Sequence, residues 1–246
     1  GCPWDIEQTY KSIAPYTIEE AYEVTDAIDN QDWSELEGEL GDLLLQVVYY
    51  TQMGSEDGYF TFDTVVKNIA DKMVHRHPHV FGDESRDKSS TQQIADWEKI
   101  KAAERAKKSN IPARTLDGVA GNLPALTRAV KLQKRAARVG FDWPDIRGVT
   151  DKISEEVDEL IDARRTKTHT DQIEEYGDLM FVMANLARHL DIDPEEALRA
   201  ANKKFQRRFE GIENKLSAMG KHPSQSNLEE LDSLWDAVKV DEKTSP

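Results

Sequence analysis

Two blocks of acidic residues stand out by type and spacing. Glu19-Glu20-x-x-Glu23 is followed by Glu39-Leu-Gly-Asp42, and Glu155-Glu156-x-x-Glu159 is followed by Glu175-Tyr-Gly-Asp178. Every acid of the second set lies 136 positions after its match in the first, and Gly41 and Leu43 are matched by Gly177 and Leu179. Acids occupy 47 of 246 positions. Five matched acids then arise by chance in about 2 of 10,000 alignments, so the chain reads as a tandem duplication.

The spacing says what the acids could do. Glu20 and Glu23 share one helix face at i, i+3, and so do Glu39 and Asp42 on the next helix. A short turn between the helices makes them antiparallel. Four carboxylates then converge: Glu20, Glu23, Glu39 and Asp42 in one module, Glu156, Glu159, Glu175 and Asp178 in the other. Such a group repels itself unless a cation sits among it. Oxygen-only ligands suit Mg²⁺, Mn²⁺ or Ca²⁺. A di-iron bundle would want Glu-x-x-His, and Asp42 and Asp178 stand at those third positions. No EF-hand loop is present.

Cations recur downstream. Lys72 and Arg76 in the first module, and Lys204 and Arg208 in the second, are spaced i, i+4. They read either as ordinary surface charges or as a clamp for phosphate. His75, His77 and His79 read either as a metal cluster or, preferred because the second module has no counterpart, as a helix exit whose imidazoles cap or bond backbone groups. Trp4, Trp97, Trp143 and Trp235 lie at module edges. Trp235 is the first of them to consider for stacking on a base.

The elements that must position these groups are helices. Apolar periodicity predicts helices over about 16–29, 34–51, 63–76, 92–107, 125–138, 149–164, 171–190, 194–219 and 228–239. Asp193 is the expected N-cap of the eighth, with Pro194 at its first position. Asp29 to Asp32 is the expected turn between the first pair. The fold class is all-α, with domains at 1–107 and 125–246 and a linker over 108–124. The net charge of −15 disfavours nucleic acid and anionic membranes as partners, yet a bound cation allows an anionic substrate. One cysteine excludes an intrachain disulfide, which fits a cytoplasmic location. No apolar run has the roughly 20 residues needed to span a bilayer. Gly1 is not a start residue, so natural residues are expected upstream of it.

Taken with Cys2-Pro-Trp-Asp5, Arg76-His-Pro-His-Val-Phe-Gly82 and Leu132-Gln-Lys-Arg135 through Gly140-Phe-Asp-Trp143, the acidic blocks resemble the MazG family of all-α nucleoside triphosphate pyrophosphohydrolases. The resemblance covers nearly the whole chain. It implies two MazG-like helical-bundle domains, a homodimer, and hydrolysis of ribo- and deoxynucleoside triphosphates, with broad base tolerance, to monophosphate and pyrophosphate. It implies Mg²⁺ on Glu156, Glu159, Glu175 and Asp178, and on Glu20, Glu23, Glu39 and Asp42. Mn²⁺ is an expected substitute, and Lys204 and Arg208 are the implied cationic pair. A first-block acid not needed as a ligand, Glu155 or Glu19, is the candidate base for the attacking water. Three alternatives stand beside this reading. One is a module that binds nucleotide and metal without turnover, another is a helical adaptor for basic partners. The third is a pyrophosphatase narrowed to dUTP, dCTP or phosphoribosyl-ATP.

Overall fold

The computed structural model describes residues 2–85, 87–108 and 114–244. Among these there is no strand, and the chain divides into two compact units, Gly1–Lys108 and Ser109–Pro246. The first holds α1 (Pro3–Glu7), α2 (Tyr10–Asn30), α3 (Trp33–Glu56), α4 (Phe62–Arg76), α5 (Pro78–Phe81) and α6 (Ser90–Lys108). The second holds α7 (Ala125–Ala137), α8 (Ile146–Thr166), α9 (His169–His189), α10 (Pro194–Ala218) and α11 (Leu228–Thr244). Residues 109–113 of the expected linker lie outside the described residues. Its later part folds back on α7, where Arg135 donates to the carbonyls of Asp117 and Gly118.

Local chemistry sets the helix ends. The α2 helix begins at Tyr10 rather than near 16, because Thr9 caps it by accepting from the Ser12 N–H, and Pro15 is carried inside the helix. Asp29 and Asn30, expected in the turn, are the last residues of α2. The reversal falls on Gln31, whose φ of 57° is left-handed. Asp193 caps α10 with Pro194 at its start, as the sequence predicts. The short helices α1 and α5, each opened by a proline, were not legible from periodicity.

The duplication is visible in the caps. Thr9 and Asp145 cap α2 and α8, and Asp32 and Thr168 cap α3 and α9, each pair 136 positions apart. Buried Ile13 and Ala27 are matched at the same interval by buried Val149 and Ala163. The α4 and α10 helices keep a different register. Their caps Thr61 and Asp193 are 132 positions apart, because α9, at 21 residues, is shorter than α3, at 24, and the connection after it is one residue shorter.

In each unit the two acid-bearing helices form the tightest pair, α2 on α3 and α8 on α9. In the second unit α7 also lies on α9, where Gln133 Nε2 donates to the Phe181 carbonyl at 2.8 Å. A separate apolar knot joins α10 to α11: Ile212, Leu216 and Val238 are buried, flanked by Phe209, Leu231, Leu234 and Trp235. Gly211 permits that approach, since a Cβ there would lie 3.0 Å from the Val238 methyls. No helix among the described residues is long and apolar enough to cross a membrane.

Candidate functional site

The two-residue connections Gln31-Asp32 and Lys167-Thr168 force each helix pair antiparallel and set the acids of one helix against those of the next. In the first unit Glu20, Glu23 and Glu39 converge, and in the second Glu156, Glu159 and Glu175 do. In each group one carboxylate oxygen per residue lies within 4.8 Å of the others. Asp42 and Asp178 are exposed and stand outside these threesomes. Asp42 is still near enough to push against Glu20 and Glu39. Glu19 and Glu155 are exposed and also lie outside them.

The two triads differ in what offsets their charge. In the first, loss of hydration raises Glu20 and Glu39 above the ordinary carboxylate range, and repulsion from Glu23 and Asp42 adds to it. Gln46 donates there, its Nε2 3.4 Å from Glu20 Oε1. In the second, Lys152 Nζ lies 2.8 Å from Glu155 Oε1 and 2.8 Å from Glu156 Oε1. Lys167 Nζ lies 2.8 Å from Glu175 Oε1. Hydrogen bonds to Glu155 and Glu156 raise Lys152, and the one to Glu175 raises Lys167. Glu156 is 4% exposed, and its Oε2 is buried with no hydrogen-bond partner. Lys152 was readable in the sequence, one turn before Glu156. Lys167 was not, because its reach depends on the extended backbone it adopts after α8.

The downstream cations sit at one register. Lys72 and Arg76 fall at the same distance from the Thr61 cap as Lys204 and Arg208 do from Asp193. Lys72 and Lys204 are exposed. Arg76 donates from Nε to Glu104 of α6 at 3.1 Å, and Arg208 from Nε to Glu242 of α11 at 2.9 Å. Arg208 also lies over the Trp235 ring at 5.5 Å. Trp97 and Glu104 are spaced as Trp235 and Glu242 are. That shared spacing marks α6 and α11 as counterparts, a signal the acidic blocks overshadow. Trp235 packs on Phe205 with ring centroids 5.5 Å apart. His77 Nδ1 is 2.7 Å from the Met73 carbonyl and His79 Nδ1 is 2.9 Å from Gln93 Nε2, which fits a helix exit.

A family model described as a MazG nucleotide pyrophosphohydrolase domain matches residues 8–81. A second, described as phosphoribosyl-ATP pyrophosphohydrolase, matches residues 124–205. The nucleoside triphosphate pyrophosphohydrolase of Escherichia coli (strain K12) is 50% identical over 244 residues, covering 98% of this chain and 92% of that protein. The nucleoside triphosphate pyrophosphohydrolase/pyrophosphatase MazG of Thermotoga maritima is 41% identical over 244 residues, covering 99% and 91%.

Proposed function

The chain belongs to the MazG family of nucleoside triphosphate pyrophosphohydrolases, hydrolases of phosphoric anhydride bonds, and from that premise we propose that it converts ribo- and deoxynucleoside triphosphates of varied base to monophosphate and pyrophosphate with Mg²⁺ held by its acid triads. The observation that carries the metal reading is the second triad. Three carboxylates converge there, and one buried oxygen, Glu156 Oε2, still has no donor. An all-oxygen set of this kind fits a hard divalent cation. Glu156, Glu159 and Glu175 would hold it, with Asp178 beside them, and Glu20, Glu23, Glu39 and Asp42 would do so in the first unit. When bound, Mg²⁺ neutralises part of the triphosphate charge and makes hydroxide available near neutral pH.

The chain's own groups supply the rest. Glu155 or Glu19 accepts the proton of the water that attacks at the α–β linkage. Exposed Lys204 and Lys72 meet the departing pyrophosphate. Arg208 and Arg76 join them by exchanging their glutamates for phosphate, to which a guanidinium fork is well matched. The chain acts as a homodimer. Leu40, Leu44, Leu45 and Val48 on α3 are about half exposed, and a helix that is apolar on several faces wants a cover. Light scattering tests the dimer.

A narrower reading has one observation in its favour, the match of residues 124–205 to the phosphoribosyl-ATP pyrophosphohydrolase model. One assay addresses both. Pyrophosphate release is measured for the eight common nucleotides and phosphoribosyl-ATP, with Mg²⁺, on the intact chain and on Glu20→Ala, Glu156→Ala and the double variant. Turnover of several nucleotides by the intact chain, abolished in the double variant, is expected. Turnover of phosphoribosyl-ATP alone favours the narrower reading, and no turnover of any nucleotide overturns both.

A further inference from the structure

We propose that Lys152 and Lys167 set how strongly the second triad takes a divalent cation, so that the two modules bind the same ion with different affinities. The inference rests on the reading of the triads as cation sites.

The lysines approach from both sides. Lys152 reaches Glu155 and Glu156 from within α8, and Lys167 reaches Glu175 from the connection between α8 and α9. Two of the three convergent acids, Glu156 and Glu175, are therefore already held by ammonium groups. Their surroundings make those contacts count: the side chains of Glu156 and Glu175 are 5% and 15% exposed, and screening by water falls as exposure falls. A cation entering this triad must displace ammonium groups as well as shed its own water, which Mg²⁺ does reluctantly.

Among the described residues, no lysine or arginine pairs with Glu20, Glu23 or Glu39 in this way. The positions that match Lys152 and Lys167 at the interval of 136 are Tyr16 and Gln31. Neither carries charge, and Gln31 has a left-handed backbone where that of Lys167 is extended. The acids there repel one another, and a cation relieves that repulsion. The first triad thus takes the ion more tightly, and the second exchanges it more readily.

Calorimetric titration of the full chain with Mn²⁺ tests this. The unaltered chain shows two classes of site. Glu23→Gln removes the tighter one and Glu159→Gln the weaker. Lys152→Met tightens the weaker class by about fivefold, the equivalent of one partly screened ion pair, and Lys167→Met adds to it. Lys152→Arg keeps the charge and leaves the class weak, which separates competition from misfolding. Tyr16→Lys weakens the tighter class. Two classes of equal affinity, or a weaker class unmoved by Lys152→Met with Lys167→Met, overturn this inference alone. No Mn²⁺ binding in any variant overturns the cation reading and this inference with it.

Discussion

The α2–α3 and α8–α9 pairs share caps, connection length and matched buried residues, and they bring three acids together in the same way. They part in the residues set beside those acids. Tyr16 and Gln31 leave the first triad to bear its own repulsion, whereas Lys152 and Lys167 neutralise much of the second. The units also differ in how their remaining helices are fastened. An apolar knot joins α10 to α11. An ion pair, Arg76–Glu104, links α4 to α6. Duplication has preserved where the carboxylates go and left free what compensates them.

The largest effect should separate the two fastenings. Leu216 is fully buried in the knot, so Leu216→Ala should cost the second unit about 2–5 kcal/mol. Arg76→Ala should cost the first unit less, about 1–3 kcal/mol, because both partners of its ion pair keep some contact with water. Calorimetry that resolves the two units would measure both. Equal costs would break the distinction.

Next comes chemistry. Glu156→Gln removes charge from the buried member of the second triad and should lower pyrophosphate release by that module on the order of 100-fold. The comparison is made in a Glu20→Ala background that silences the first module. A fall of less than about threefold would deny Glu156 any role with the ion.

Acid should then affect the modules in opposite senses. Glu20 and Glu39 are raised in the folded state. The stability they contribute is therefore complete below the ordinary carboxylate pKa of about 4.3 and is lost as pH rises through their raised values. The first unit should melt higher near pH 5 than near pH 7.5, and Mg²⁺ or Glu20→Gln should narrow the difference. The second unit has Asp142, where burial is outweighed by the Arg188 guanidinium and the net shift is downward. Its contribution is present above about 3.9 and lost as pH falls through the lowered value. A first unit that melts lower at pH 5 would contradict the uncompensated triad.

Much of this was legible in the sequence, for physical reasons that differ by residue. The acids were found because their spacing is repeated, and the Asp193-Pro194 start because its chemistry is local. The α2 helix starts ahead of the expected 16 because the Thr9 cap lies upstream and Pro15 is carried inside the helix. The Glu104 and Glu242 partners of the arginines lie 28 and 34 residues away in sequence, so no local pattern brings them together. Lys167 depends on one backbone conformation outside any helix.

The smallest prediction asks whether the shared scaffold is equivalent in energy as well as in geometry. Asp32 and Thr168 occupy matching N-caps, Asp32 accepting from the N–H groups of Ser34 and Glu35 and Thr168 from that of Asp171. Replacing either by Ala should cost about 1 kcal/mol. If only the compensating charges differ between the modules, the two costs should agree within about 0.5 kcal/mol near neutral pH. Acid should then erode both. The Glu35 N–H, with Ser34, holds Asp32 below its ordinary value, and the Thr168 hydroxyl and N–H hold Asp171 below its own, so each cap weakens as pH falls through those lowered values. Costs that differ widely at pH 7 would place the divergence in the scaffold itself.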